Sequence, residues 1–166
     1  LESFEKALTE SFLYSTKLLV EEFVDGRELE VGLLGDISSV KASPIGEVVT
    51  DHDFYSYDAK YLKTESLKIG PAKNLSEETS EKLKVLAVQA FKALECSGLS
   101  RCDFFLKKDG EIIVNEVNPI PGFTEFSLYP VLWQKAGIPY STLIQRLLEL
   151  ALEKHKEMSQ LKSGLE

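Results

Sequence analysis

Asp103, Glu116 and Asn118 are two carboxylates and an amide that one hairpin can bring together, with Arg101 two residues before Asp103. Strands are expected over residues 101–107 and 111–117, joined at the turn dipeptide Asp109-Gly110. With those two as the centre of a tight turn, Lys108 pairs with Glu111, Asp103 lies opposite Glu116, and Arg101 lies opposite Asn118. Side chains alternate along a strand, so all four project from one face. A symmetric four-residue loop keeps this register, whereas a three-residue loop shifts it by one.

Carboxylates placed directly opposite each other repel, at a cost of up to ~1 kcal/mol. Something positive belongs between them. Arg101 can do part of this, and two carboxylates with a neutral amide oxygen are also the hard oxygen ligands that magnesium takes. Such a metal would in turn hold phosphate oxygens. The same spacing fits a surface ion pair between Arg101 and the acids, with Asn118 starting a turn. Spacing alone leaves the two readings level.

The elements that must position this hairpin follow from periodicity. Phe4, Ala7, Leu8 and Phe12 are spaced for one face of a helix over residues 2–14. Residues 17–23 read as a short strand, turned at Asp25-Gly26 into a second over 28–34, where Leu29, Val31 and Leu33 alternate with Glu28 and Glu30. A third strand is expected over 43–49. Residues 50–74 lack a sustained period, which for so long a stretch favours a functional loop.

A helix is expected from Asn74 to about Glu95, with an Asn74/Glu77 capping box, an apolar stripe of Leu83, Leu86, Ala87, Ala90, Phe91 and Leu94, and a stop at Gly98. Beyond the 118–126 loop, a short helix over 127–136 takes Pro130 in its first turn and ends at Gly137. A last helix, 140–156, places Leu143, Ile144, Leu147, Leu148 and Ala151 on one side. The final residues read as frayed.

The chain has 166 residues, 43% of them apolar, enough for the core of one ordinary soluble domain. A net charge of −8 argues against a nucleic-acid partner, since phosphate backbones need a cationic patch. No apolar run is long enough to span a membrane, and the first residues lack the order of a signal peptide. Cys96 and Cys102 have no companions at zinc spacing and are too few for a disulfide scaffold, so both read as reduced, buried thiols of a cytoplasmic protein. His52 and His155 read as solvated.

Asn115-Glu116-Val117-Asn118-Pro119-Ile120-Pro121-Gly122-Phe123-Thr124, followed by Ser127-Leu128-Tyr129-Pro130, resembles the signature near the end of D-alanine:D-alanine ligases, members of the ATP-grasp superfamily. Residues 54–61, Phe-Tyr-Ser-Tyr-Asp-Ala-Lys-Tyr, resemble that family's substrate-facing loop, which includes Tyr55. Residues 20–24 through Glu28 resemble its adenine-binding segment. Three motifs in the family's order cover nearly the whole chain.

The resemblance implies an α+β fold, the ATP-grasp carboxyl-terminal domain, with a mostly antiparallel sheet flanked by helices. Residues 1–24 would be a remnant of the central lobe and adenine hinge, 25–158 the catalytic domain, and 159–166 a frayed tail. It implies ATP and two magnesium ions, or manganese, held by Asp103, Glu116 and Asn118, with Arg101 stabilising charge at the reacting centres. Lys60 would reach the ATP phosphates, Glu28 the ribose, and Glu21, Glu22, Phe23 and Val24 the adenine. Gly122 would offer an oxyanion amide, for which a plain tight turn is the alternative. Ser127 and the Leu128 amide would hold the second substrate's carboxylate, for which a simple N-cap is the alternative. Tyr61, after the loop lysine, favours D-alanine over D-lactate as acceptor.

Pro119 departs from the family, which usually has threonine or serine there; proline removes a hydroxyl and an amide donor. A full ligase also has an amino-terminal domain and a central lobe that this chain lacks, and the intact protein is expected to be a bacterial, cytoplasmic homodimer. Two functions are therefore carried: part of a D-alanyl-D-alanine-forming ligase for peptidoglycan synthesis, or a non-catalytic nucleotide-binding or assembly module. D-serine- or D-lactate-adding ATP-grasp ligases are the alternatives within the enzyme class.

Overall fold

Alternation builds the sheet. In β1 (Gly26–Gly35), Leu29, Val31 and Leu33 are fully buried on one face, each worth ~1.5–3 kcal/mol of burial. Glu28, Glu30, Gly32 and Leu34 take the other face. β1 is central and pairs antiparallel with β2 (Lys41–Thr50) on one side and β4 (Gly98–Lys107) on the other. β3 (Leu67–Pro71) extends the β2 edge and β5 (Ile112–Asn118) the β4 edge, giving the order β3-β2-β1-β4-β5 with every neighbour antiparallel. This computed structural model describes residues 2–50 and 67–161.

Helices cover both faces. α2 (Glu77–Ala93) lays Leu83, Ala87 and Phe91 on Leu29, Val31, Leu33, Ile45, Cys102 and Phe104. On the opposite face, α3 (Leu128–Lys135) and α4 (Tyr140–Ser159) enclose Leu34 with Tyr129, Trp133, Leu143 and Leu150. The buried Tyr129 hydroxyl donates to the Leu33 carbonyl at 2.9 Å, tying α3 to β1. The second face of β1 thus changes character along its length, apolar beneath α3 and acidic at Glu28 and Glu30. The α+β, mostly antiparallel architecture is the one expected.

Two irregularities shape the sheet. Between Val31 and Leu33 the β1–β2 register shifts at Ser43-Pro44, where proline has no N–H to give the ladder. The buried Ser43 hydroxyl bridges the strands at this point, accepting from Gly32 N at 2.9 Å and donating to the Pro44 carbonyl at 2.7 Å, so that it serves the Gly32 N–H and does not replace the missing proline donor. The second lies in β5. Lys107 N donates to Glu111 O and Gly110 N to Lys107 O, so the β4–β5 connection is a three-residue loop with Gly110 at φ 89°. Phe104 therefore faces Val114, one position off the expected pairing, and a bulge at Asn115 restores it, so that Asp103 faces Glu116 and Arg101 faces Asn118.

Other expectations are corrected. Residues 17–23 form no strand, because β2 and β4 already occupy both edges of β1. Gly26 is the first residue of β1 and not a turn centre. α1 (Glu2–Ser11) forms, but buries none of its residues against the described parts. The cap of α2 is Ser76, whose Oγ accepts from Thr79 N at 3.0 Å; Asn74 sits left-handed at φ 53°. That helix ends at Glu95, φ 52°, with Cys96 N bonding Phe91 O and Glu95 N bonding Lys92 O, so Gly98 is not its stop. On α4, Leu143 and Leu150 are buried while Ile144, Leu148 and Ala151 are exposed.

Both cysteines are free thiols; Cys102 is buried, which pushes its thiol up to about 12, while Cys96 is only half-buried. Among the described residues no helix is long and apolar enough to cross a membrane.

Candidate active site

The acidic part of the sheet, which no described helix packs on, carries a row of carboxylates. Register places Glu30 of β1 opposite Asp103 of β4, and Asp103 opposite Glu116 of β5. Three acids therefore stand side by side across three strands, an arrangement that repulsion disfavours unless a cation is supplied. Arg101 supplies one. Its Nε and Nη2 donate to the two Asp103 carboxylate oxygens at 2.7 and 2.6 Å, and its Nε lies 3.1 Å from Glu30 Oε2. The side chains of Arg101, Asp103 and Glu30 are only 14%, 13% and 12% exposed, so this is not the surface ion pair that spacing alone allowed.

The charges of these groups reflect that burial. Desolvation works against the Arg101 guanidinium, but the hydrogen bonds to Asp103 and the fields of Glu30, Asp103 and Glu116 outweigh it and raise its pKa. Asp103 is pushed above the usual carboxylate range, first by burial and further by Glu116, against the opposing pull of Arg101. Two carboxylates facing each other across β4 and β5 suit a divalent cation. Asp103 and Glu116 offer two carboxylates and Asn118 an amide oxygen, a hard-oxygen set that fits magnesium with phosphate or water completing the shell. Among the described residues no group of three or more His, Cys, Asp or Glu side chains forms a metal cage by itself, so the amide and outside ligands are needed. Asn118 Oδ1 accepts from Ile120 N at 3.2 Å, spanning Pro119 as a turn, and keeps a second lone pair.

A cleft of about 200 Å³ opens over this row, lined by Glu28, Leu29, Glu30, Val48, Arg101, Asp103, Phe104, Phe105, Asn115 and Glu116. Glu28 is thus in the site. A larger cleft, about 440 Å³, lies at the far end of β1 against α4 and holds none of the expected residues.

The loop after β5 brings the remaining expected groups to the start of α3. A Cβ on Gly122 would meet Ser127 Oγ at 3.2 Å, so the two adjoin. Ser127 occupies the N-cap position without capping the helix: its Oγ accepts from Thr124 N at 3.0 Å and bonds Thr124 Oγ1 at 2.9 Å. Phe123 packs between Tyr129 and Tyr140, and Tyr140 donates to the Phe123 carbonyl at 2.9 Å, fixing the loop. Leu128 closes over Gly46, where a Cβ would meet its Cδ2 at 2.7 Å. Gly46 is the β2 partner of Glu30, so the helix start sits on the strand beside the acidic row.

The structure does not gather every expected residue. Glu21, Glu22 and Phe23 are exposed and Val24 half-buried in an irregular segment before β1, outside the cleft lining. Tyr55, Lys60 and Tyr61 lie outside the described residues. Glu30 and the Asn115 bulge went unassigned; the Glu28/Glu30 alternation was the available signal for Glu30, but its partner depends on which strand neighbours β1.

An antiparallel five-stranded sheet with helices on both faces and this hairpin at its open end is the carboxyl-terminal domain of the ATP-grasp fold. It superposes on the D-alanine–D-alanine ligase structure from Coxiella burnetii with a TM-score of 0.81 and 36% identity, covering 95% of this chain and 40% of that one. The Bacillus anthracis D-alanine–D-alanine ligase complexed with ATP gives 0.79 and 30%, covering 95% and 50%. Residues 1–149 match the family described as D-ala D-ala ligase C-terminus, and the chain belongs to that family. A D-alanine–D-alanine ligase of Ruminiclostridium cellulolyticum is 52% identical over 158 residues, 94% of this chain but 42% of the relative. The chain thus spans less than half the length of that relative.

Proposed function

We propose that this chain is the carboxyl-terminal part of an ATP- and magnesium-dependent ligase that joins two D-alanines for peptidoglycan synthesis in the bacterial cytoplasm. The observation that carries the reading is the pairing of Asp103 with Glu116 and Arg101 with Asn118 on one sheet face, in a chain 52% identical to a D-alanine–D-alanine ligase. Residues 1–24 belong to the central lobe and adenine hinge, 25–158 to the catalytic domain, and 159–166 to a tail. The rest of a homodimeric protein completes the first D-alanine site and covers the phosphates.

In this reading the carboxylate of one D-alanine attacks the γ-phosphorus of ATP, and the bond to the ADP oxygen breaks to leave an acylphosphate. The amine of the second D-alanine attacks the acyl carbon, loses a proton, and inorganic phosphate departs. Two magnesium ions, or manganese, held by Asp103, Glu116 and Asn118 supply neutralisation of phosphate charge. Arg101 and Lys60 stabilise the charge that grows on the transferred group, and alignment contributes more than any side-chain nucleophile. Glu28 takes the ribose hydroxyls, while Glu21, Glu22, Phe23 and Val24 hold adenine. The Gly122 amide donates to the developing oxyanion, Ser127 and the Leu128 amide hold the acceptor carboxylate, and Tyr55 and Tyr61 border the substrate.

Glu116→Gln in the intact protein keeps shape and removes charge, and is expected to weaken magnesium-dependent nucleotide binding strongly, measured by calorimetric titration at several magnesium concentrations. Unchanged metal dependence would sink the assignment. A second reading is that this chain alone binds nucleotide without ligating. ADP release from ATP and D-alanine by this chain alone would refute it.

A further inference from the structure

We propose that Glu30 is a positioning residue: it holds the Arg101 guanidinium in place when Asp103 turns its charge to a metal ion. The inference rests on the ligase reading and adds to it a residue outside the metal set.

In the structure, Arg101 leans on Asp103, whose two oxygens each accept one of its N–H groups. The same carboxylate is one of two that face each other at the metal position. A divalent ion held by Asp103 and Glu116 would compete for those oxygens and would repel the guanidinium, since both are cations. With Asp103 as its only support, Arg101 would loosen at the moment its charge is needed. Glu30 removes that conflict. It lies across the strand from Asp103 on the side away from Glu116, its Oε2 3.1 Å from Arg101 Nε.

The surroundings favour a fixed position. Glu30 has Gly46 as its β2 neighbour, and Leu128 of α3 closes over that glycine, so the carboxylate is bounded on that side. Opposite Arg101 on β1 is Gly32, which presents no side chain to the guanidinium. On the β1 side Arg101 is thus supported by Glu30 of the acidic row and not by the residue directly opposite it. Burial strengthens the attraction, because solvent screens such a pair little.

The test uses the intact ligase that contains this chain, with Glu30→Gln, Glu30→Asp, Arg101→Lys and the double variant Glu30→Gln/Arg101→Lys. Misplacing a reacting group by about 1 Å costs on the order of a hundredfold. Glu30→Gln is therefore expected to lower kcat by about ten- to a hundredfold, with KM for ATP changed by less than about threefold. Glu30→Asp should recover part of the loss. The double variant should be no slower than Arg101→Lys alone, because Glu30 acts through Arg101. A second readout needs no turnover: the Arg101 Nε–Hε resonance should stay sharp on adding magnesium to wild type and broaden in Glu30→Gln. Unchanged kcat in Glu30→Gln, additive losses in the double variant, or an Arg101 signal indifferent to Glu30 would each overturn the proposal. A wild-type protein that gives the resonance behaviour without ligating D-alanine would overturn the ligase reading while leaving the role of Glu30 supported.

Discussion

Ser43→Ala tests whether one buried hydroxyl holds the β1–β2 bulge. Pro44 leaves the ladder without a donor there, and Ser43 Oγ is the partner of Gly32 N. The hydroxyl has no exposure to water, and a Cβ at Gly32 would lie 3.0 Å from the Tyr129 ring and 3.2 Å from Trp133 Nε1, so the space is tightly enclosed. Removing the hydroxyl leaves the Gly32 N–H buried without an acceptor, a penalty of about 1–3 kcal/mol. At ~2–4 °C per kcal/mol for a chain of this size, the midpoint of thermal unfolding should fall by a few degrees or more. The sole tryptophan, Trp133, is buried beside the bulge, so its fluorescence reports urea unfolding directly. The midpoint should drop with the slope unchanged. Ser38→Ala removes an exposed hydroxyl bonded to Asp36 and should stay within about 0.5 kcal/mol of wild type. Equal effects of the two substitutions would refute the reasoning and assign the bulge to packing alone.

Glu95→Gly should stabilise the chain: the exposed Glu95 sits left-handed at φ 52°, a conformation costing roughly 1–2 kcal/mol for an L-residue, only partly offset by glycine's larger unfolded-state entropy. A lower unfolding midpoint in that variant would contradict the strain argument. The Arg27 fork on Glu47, at 2.7 and 2.9 Å, holds the Glu47 carboxyl below its ordinary 4.5 and raises Arg27 in turn. A depressed folded pKa means that its stabilisation is complete above the unfolded value and is lost as pH falls through the folded one. Stability measured against pH should therefore drop less below about pH 4.5 in Glu47→Gln than in wild type, and identical acid limbs would rule the linkage out.

The sequence by itself determined the type and buried face of β1 and α2, because period 2 in residues 28–34 and period 3.6 in residues 83–91 leave one way to bury Leu29, Val31, Leu33, Leu83, Ala87 and Phe91, but it gave no sign of β3 (Leu67–Pro71), which forms within the stretch read as a loop. It also placed Arg101, Asp103, Glu116 and Asn118 on one face, but by a route the structure replaces. The turn is one residue longer than a tight hairpin, and the Asn115 bulge takes up the difference. Turn chemistry is local and readable, whereas a bulge is set by what the strand must face. Only the tertiary structure decided that residues 17–23 find no edge on β1 and that Glu30 joins the row beside Asp103. Each of these depends on which segments become neighbours, and strand adjacency is a property of the packed sheet that no local pattern encodes.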